Sequence, residues 1–257
     1  MEQRFMFDQM AKAYDAFRPG YPDALFADLA AETGLSEDDR ILELGCGAGQ
    51  ATAGLAALGA PLLALDPGPE LIRAARLRIG QAPHVAFDET TFEAWPLQPG
   101  AFKLVAAAQA WHWIDPGVRF EKAARALAPE GVLAIMGNVP MSPPADFLQA
   151  VEPLFRRYAP HLWGPPPEAW YLPSGPLPEL FPTAQRFGPL VHRVYPYAVV
   201  HTPESFEGLH RSYSYYQALP AADRDALIGG MVDHIRGQDG TFRMNYEAHL
   251  YMAHRRV

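Results

Sequence analysis

The sequence has one cysteine, Cys46, in 257 residues. An intramolecular disulfide is therefore excluded, and the cysteine framework typical of small secreted domains is absent. No stretch approaches the roughly 18 apolar residues that mark a membrane-spanning helix. The first residues, MEQRFMFDQMAKAYDAF, have no apolar core of the kind that a secretory signal needs. These absences predict a soluble, cytoplasmic protein that has no membrane partner.

Positive charge is also scarce. Lysine and arginine total 21 residues against 29 acids, which gives a formal net charge of -8 and a pI of about 5.6. Arg73, Arg76 and Arg78 lie close together, but a solvated helix face explains them better than a binding patch. We therefore expect no nucleic-acid partner. With 49% hydrophobic residues, the chain can form a sizeable core, and we predict one domain over residues 1–257.

Short apolar strands alternate with helical patterns in the first half of the chain. Predicted strands cover 41–45, 61–66, 84–88, 102–108 and 131–137, and predicted helices cover 49–58, 69–80 and 117–128. This alternation predicts an α/β fold with a parallel sheet covered on both faces. Such sheets bind ligands beyond the carboxyl ends of their strands.

The pattern changes after residue 138. Half of the 26 prolines lie between Pro140 and Pro189, so we expect a stiff, extended loop over 160–182. The later sequence predicts three further features: a β pattern at 191–200, two helices within 202–237 and a long strand at 241–256. The cofactor-binding core should cover about 36–140. The N-terminal arm 1–22 and the elements 141–240 should form a substrate cap.

A glycine-rich turn follows the first predicted strand in ILELGCGAGQ. Gly45, Gly47 and Gly49 form the pattern E-x-G-x-G-x-G, whereas the dinucleotide fingerprint would need a small residue where Gln50 stands. Asp66 ends the second strand, 17 residues after Gly49, where a carboxylate can accept both hydroxyls of a ribose. A tight turn alone, or an acid that caps a helix, would explain each feature separately. Together they indicate a ligand that contains a nucleoside.

The segments ILELGCGAGQAT, LLALDPGPELI and RALAPEGVLAI resemble the motifs of class I S-adenosylmethionine-dependent methyltransferases. FDQMAKAYDAFRPGYP and AAQAWHWID resemble a small-molecule branch that includes trans-aconitate methyltransferase-like proteins. The resemblance covers about Phe7 to Gly137. It implies a Rossmann-like, seven-stranded, mostly parallel sheet with helices on both faces and a helical or loop substrate cap. The last strand would be antiparallel, a role that 247–256 can fill.

The resemblance also implies the cofactor S-adenosyl-L-methionine, with S-adenosyl-L-homocysteine as product, and a monomer or homodimer that acts on a small molecule. The implied cofactor contacts, in chain order, are Tyr14, Arg18, Glu43, Gly45, Cys46, Gly47, Gly49, Gln50, Asp66, Pro67, Thr91, Phe92, Gln109 and Trp111. The glycines would line the methionine part, Asp66 would hold the ribose hydroxyls, and Pro67 would pack near adenine. Tyr14 and Arg18 would close over the carboxylate end.

Two of these positions carry further implications. The family often has an acid near adenine where this sequence has Thr91, so we expect backbone contacts at Phe92 instead. Gln109 matches the position that faces the sulfonium and its methyl group.

His112 is the candidate catalytic residue because the motif places it at the carboxyl end of a strand. It would act as a neutral base for a hydroxyl or amine acceptor. For a carboxylate acceptor, a protonated His112 or Arg18 would orient the anion. A third reading is that it only holds the loop. Trp113, Tyr213 and Tyr216 are candidates for the substrate pocket, although core packing is nearly as good an explanation for them.

Two further expectations concern metal binding and an alternative function. The other histidines show no ligand spacing, so no metal is expected. The alternative function is a regulatory or sensor protein that binds S-adenosylmethionine without transferring its methyl group.

Overall fold

The structure is a computed structural model that describes residues 17–181 and 185–256. It contains a sheet of seven strands in the order β3-β2-β1-β4-β5-β7-β6. The strands are β1 (Ile41–Leu44), β2 (Leu62–Asp66), β3 (Val85–Glu89), β4 (Phe102–Ala108), β5 (Leu127–Pro140), β6 (Val191–His201) and β7 (Phe242–His254). β1 to β5 run parallel, and β7 is antiparallel to both β5 and β6. The predicted fold class is confirmed, including the antiparallel strand near the end of the chain.

Helices cover both faces of this sheet. They are α1 (Asp23–Thr33), α2 (Gln50–Ala56), α3 (Pro69–Ile79), α4 (Arg119–Ala126), α5 (Ala145–Tyr158), α6 (Leu177–Leu180), α7 (Pro203–Arg211), α8 (Ser214–Gln217) and α9 (Ala221–Arg236). Alternate residues of a strand point to opposite faces. Accordingly, Leu104 packs with α1 and α2 on one face, and Val105 packs with α4 on the other. A third apolar cluster joins α5, α7, α8 and α9 beside the sheet.

The structure corrects one boundary in the first half of the chain. The helix predicted over 117–128 ends at Ala126, and β5 begins at Leu127 rather than at residue 131. Leu127 has an extended backbone, is fully buried and pairs with Phe102 of β4. Its burial against the sheet outweighs the helical pattern of the preceding residues.

Further corrections fall in the second half. The prediction of an extended loop over 160–182 was wrong, because two 3-10 helices (Pro160–Leu162 and Pro167–Tyr171) and α6 lie there. Proline begins each of these 3-10 helices, where its fixed φ is favourable and its missing N–H costs little. The segment 202–237 contains three helices instead of two. Helices α1 and α5 were not predicted, and Pro153 lies inside α5.

Gly137 of β5 allows the ring of Tyr171 to lie directly on the strand, since a Cβ there would be 2.2 Å from Tyr171 Cγ. We expect Gly137→Ala to lower the free energy of unfolding by about 1–3 kcal/mol, the usual cost of overpacking a core. Gly229→Ala is the matched control, because a Cβ at Gly229 of α9 would meet nothing within 4 Å. The control should raise stability by about 0.5–1 kcal/mol. Urea denaturation that gives the two variants equal stability would contradict the packing described here.

Candidate active site

The turn between β1 and α2 has a backbone that favours glycine at three positions. Gly45, Gly47 and Gly49 have φ angles of 67°, 55° and 88°, a region that residues with a Cβ adopt at a cost. A Cβ at Gly45 would also lie 2.6 Å from the Cβ of Ala110. The absence of a side chain at Gly45 therefore allows the turn to pack closely against the loop that follows β4.

Asp66, the last residue of β2, fixes this turn from the neighbouring strand. Its Oδ2 accepts a hydrogen bond from the backbone N–H of Gly47 at 2.9 Å, and its Oδ1 accepts one from Gly68 at 2.9 Å. The side chain is 6% exposed. One carboxylate thus connects the turn after β1 with the turn after β2, at the carboxyl edge of the sheet.

A cavity of about 440 Å³ opens at this edge. Of the residues proposed from the sequence, it brings together Arg18, Gly45, Cys46, Gly47, Gln50, Asp66, Pro67, Thr91, Phe92, Gln109, His112 and Trp113. Ligand sites of open α/β sheets are found in this position.

The remaining proposed residues do not line the cavity, or lie outside the described part of the chain. Glu43 is fully buried in β1, and Trp111 is fully buried against Phe120. Gly49 faces Ala75 of α3. Tyr14 lies outside the described residues. The sequence placed Trp111 at the cofactor, but the short 3-10 helix Trp111–Trp113 presents only its two later residues to the cavity.

Tyr213 and Tyr216 also depart from the expected arrangement. Both are almost fully buried, and their aromatic rings belong to the cluster of α7, α8 and α9. Ser214 and Tyr215 line the cavity in their place. Sequence analysis identified the correct aromatic run but could not determine which of its residues face inward.

Arg18 and Asn138 hold the chain before α1 against the rest of the fold. Arg18 Nε donates to Ser212 Oγ at 3.0 Å, and its guanidinium lies 4.1 Å from the centre of the Tyr213 ring. Asn138 of β5 donates from Nδ2 to the carbonyl of Gly20 at 3.0 Å. These contacts place Arg18 on the cavity wall.

Gln109 carries backbone strain at the end of β4. Its φ is 49°, which is uncommon for a residue other than glycine. Its N–H donates to the carbonyl of Met136 at 2.9 Å, and its Nε2 donates to the carbonyl of Asn138 at 3.3 Å. Strained residues of this kind concentrate at functional sites, and these contacts to β5 hold Gln109 in the cavity wall.

The surroundings of His112 favour its neutral form. Its Nδ1 lies 2.9 Å from the hydroxyl of Tyr171, and the rings of Trp113 and Trp170 lie beside it. Although the imidazole is accessible from the cavity, the enclosure by these rings lowers its pKa to about 4, and the charge of Arg119 contributes to the shift. At neutral pH the geometry therefore disfavours the reading in which a protonated His112 orients a carboxylate.

Glu43 is a second group whose protonation is changed by the fold. Burial raises the pKa of its carboxyl to about 8, and the negative charge of Asp66 adds to the rise. The neighbouring side chain of Thr52 partly opposes this rise. At neutral pH Glu43 is therefore mostly an uncharged acid behind the glycine turn.

Several cavity residues were missed by sequence analysis. They are Tyr21, Thr90, Glu93, Ala110, Glu168, Trp170, Tyr171, Ser214 and Tyr215, among others. Glu168, Trp170 and Tyr171 come from the proline-rich stretch GPPPEAWYLP, far along the chain from the motifs. The feature of the sequence that could have identified this stretch is Glu168, an acid that stands between prolines and next to aromatic residues.

Comparison with known proteins supports the fold and the core. Residues 42–135 match a family model described as a methyltransferase domain. The match covers less than half of the chain, and over this segment the chain is similar to that family. The matched segment contains the glycine turn, Asp66 and the whole of β4, and this similarity supports the prediction of a methyltransferase core.

An uncharacterized methyltransferase of Mycobacterium tuberculosis is 35% identical over 132 residues, which are 51% of this chain and 51% of the relative. The chain thus spans about half the length of the curated relatives it matches. A protein of Anaeromyxobacter dehalogenans assigned as a type II methyltransferase superposes with a TM-score of 0.65 and 25% identity, covering 93% of this chain and 98% of that chain. Phosphoethanolamine N-methyltransferase 2 of Haemonchus contortus, solved with S-adenosyl-L-methionine, gives a TM-score of 0.53 at 17% identity, covering 97% of this chain and 57% of that chain. At that identity the last comparison concerns the fold alone.

The described residues contain neither a metal-binding cluster nor a helix that could span a membrane. Over 17–181 and 185–256, no three His, Cys, Asp or Glu side chains come together as a metal site would require. No helix in the same ranges is long and apolar enough to cross a membrane.

We expect the His112 imidazole to titrate near pH 4 instead of near its ordinary value of 6.5. Because the folded pKa lies below the unfolded one, stability from this group is present above pH 6.5 and is lost as the pH falls towards 4. NMR titration of the ring carbons measures the pKa, and His112→Gln identifies the signal. A midpoint at or above 6.5 would contradict the enclosure of the ring.

Proposed function

We propose that this protein transfers a methyl group from S-adenosyl-L-methionine to a small organic acceptor held in the cavity. The observation that carries the proposal is the Asp66 carboxylate, held between Gly47 and Gly68 at the mouth of a cavity of about 440 Å³. A cavity of this size suits a ligand of nucleoside size or larger. The three glycines leave the backbone open to close approach.

The residues around the cavity fit the parts of this cofactor. Asp66 would accept hydrogen bonds from the ribose hydroxyls, and Pro67 and Phe92 offer apolar surface for adenine. Gly45 and Gly47 would line the methionine part, and Gln109 would face the methyl end. When bound, the cofactor supplies an electrophilic methyl group on a positively charged sulfur.

The protein's own contribution at the acceptor is orientation, exclusion of water and removal of a proton. Alignment of the acceptor with the methyl group supplies much of the rate acceleration. In the His112 tautomer with hydrogen on Nδ1, that nitrogen donates to the Tyr171 hydroxyl and Nε2 keeps its lone pair. A neutral Nε2 can take a proton from a hydroxyl or an amine.

Some finer features of the protein stay predictions. They are the branch similar to trans-aconitate methyltransferase-like proteins, the cytoplasmic location, the absence of a nucleic-acid partner, and the monomer or homodimer. The single domain over 1–257, with its cap from 1–22 and 141–240, also belongs to the proposal. It is supported by cavity residues drawn from both segments, Arg18 from the first and Glu168 and Tyr215 from the second.

The cofactor prediction concerns Asp66. We expect S-adenosyl-L-methionine and S-adenosyl-L-homocysteine to bind and NAD not to bind. Asp66→Ala should weaken cofactor binding by about 1–3 kcal/mol, the usual loss for a hydrogen bond to a charged group. Isothermal calorimetry measures both effects.

Asp88→Ala is the matched control, since Asp88 belongs to the neighbouring strand β3, is exposed and does not line the cavity. Its cofactor affinity should equal that of the wild type. Tighter binding of NAD than of either sulfur compound would refute the cofactor assignment. Binding without turnover of any acceptor would favour the sensor function instead.

The catalytic prediction concerns His112. With a substrate in hand, His112→Gln should lower the rate by about 10²–10⁴-fold, the usual contribution of a positioned base. The wild-type rate should fall as the pH drops through about 4, where the imidazole becomes protonated, and the variant should lack this limb. His254→Gln is the control, because His254 is exposed at the opposite end of β5 beside Glu130. Wild-type kinetics in His112→Gln would remove His112 from the mechanism.

A further inference from the structure

Glu168 is a buried carboxylate in the cavity wall. It lies in the 3-10 helix Pro167–Tyr171, and its side chain is 9% exposed. Among the described residues, no group donates a hydrogen bond to its Oε2. A buried carboxylate oxygen without a donor is costly, so this arrangement is expected to be relieved when a ligand supplies the donor.

The nearest cation on the cavity wall does not fill this role. Arg18 donates to the hydroxyl and the carbonyl of Ser212 and stacks on Tyr213. Burial raises the pKa of the Glu168 carboxyl, and the charge of Arg18 opposes this rise through space. Glu168 therefore remains available to a group that enters the cavity.

Aromatic side chains surround the same space. Trp113, Trp170, Tyr171 and Tyr215 all line the cavity with Glu168. The faces of such rings attract a positive charge, and this attraction grows when water is excluded. A carboxylate together with several aromatic rings favours an ammonium or amine over an anion.

From this arrangement we propose that Glu168 binds the methyl acceptor and that the acceptor carries an amino group. The proposal rests on the methyl-transfer function above and gives its substrate class. A carboxylate acceptor, which the resemblance to trans-aconitate methyltransferase-like proteins would suggest, would place two negative charges together in a space of low polarity. A neutral alcohol would donate a hydrogen bond to Glu168, but the negative charge and the aromatic rings would attract it only weakly.

The test uses three probes of one shape: 2-phenylethylamine, 2-phenylethanol and 3-phenylpropanoate. Calorimetry with the protein saturated by S-adenosyl-L-homocysteine should show that the amine binds tightest of the three. Glu168→Gln should weaken amine binding by about tenfold or more, as expected for the loss of a charged hydrogen bond. The same variant should bind S-adenosyl-L-homocysteine within about twofold of the wild type, which shows that it has folded.

Glu179→Gln is the matched control, since Glu179 is an exposed acid of α6, eleven residues further along and outside the cavity wall. It should bind all three probes as the wild type does. Release of S-adenosyl-L-homocysteine from the methyl donor with each probe gives a second readout.

The outcomes separate the two proposals. Failure of the wild type to bind either sulfur compound would refute the proposed function itself. With that binding intact, tighter binding of the alcohol or the carboxylate, no measurable binding of the amine, or unchanged amine affinity in a folded Glu168→Gln would overturn the amine assignment. Because the three probes are also compared on the wild-type protein, the amine assignment is tested even if a variant fails to fold.

Discussion

The carboxylate of Asp66 is the contact on which the candidate site depends. By accepting hydrogen bonds from Gly47 and Gly68, it joins the ends of β1 and β2 at the carboxyl edge of the sheet. Two backbone N–H groups that would otherwise need water are satisfied by one buried side chain. The same side chain forms part of the cavity wall, so the geometry of the ligand site and that of the two turns are fixed together.

A second set of contacts, made by β5, holds the other wall of the cavity. Gln109 is kept in a strained conformation by contacts to β5, and Asn138 of the same strand holds the carbonyl of Gly20. Tyr171 lies on Gly137 of β5 and orients His112 through its hydroxyl. β5 therefore supports three parts of the wall that are distant in sequence: the loop after β4, the segment before α1 and the 3-10 helix from the proline-rich stretch.

The electrostatics of the wall follow from this packing. Enclosure keeps His112 neutral and favours the uncharged form of Glu43. Charges that remain inside such a space act strongly because little water screens them. Three ionisable groups of the wall, Asp66, Arg18 and Glu168, each have a distinct proposed partner: the ribose, the carboxylate end of the cofactor and the acceptor.

Features set by local spacing could be predicted from the sequence. The glycine turn, Asp66 and the alternation of strands and helices all follow from residues within about twenty positions of one another. Which side chain of a short helix faces the cavity could not be predicted, because that depends on where the helix begins. Trp111 points into the core, whereas His112 and Trp113 line the cavity. Tyr215 lines the cavity in place of its neighbour Tyr213.

The cap of distant segments was predicted, but which of their side chains reach the site could not be predicted from the sequence. Glu168 reaches the site only because the proline-rich stretch folds into 3-10 turns against β5, instead of remaining extended as its composition suggested. The antiparallel β7 is a contrasting case, since its long alternating pattern and its place in the family resemblance were both visible in the sequence.

A crystal structure of the protein grown with S-adenosyl-L-homocysteine tests the central claim most directly. We predict density for the ligand in the cavity. The ribose hydroxyls should lie within hydrogen-bond distance of the Asp66 carboxylate, and the sulfur should lie on the side of Gln109 and His112. Ligand density elsewhere on the molecule, or a ribose that does not contact Asp66, would contradict it.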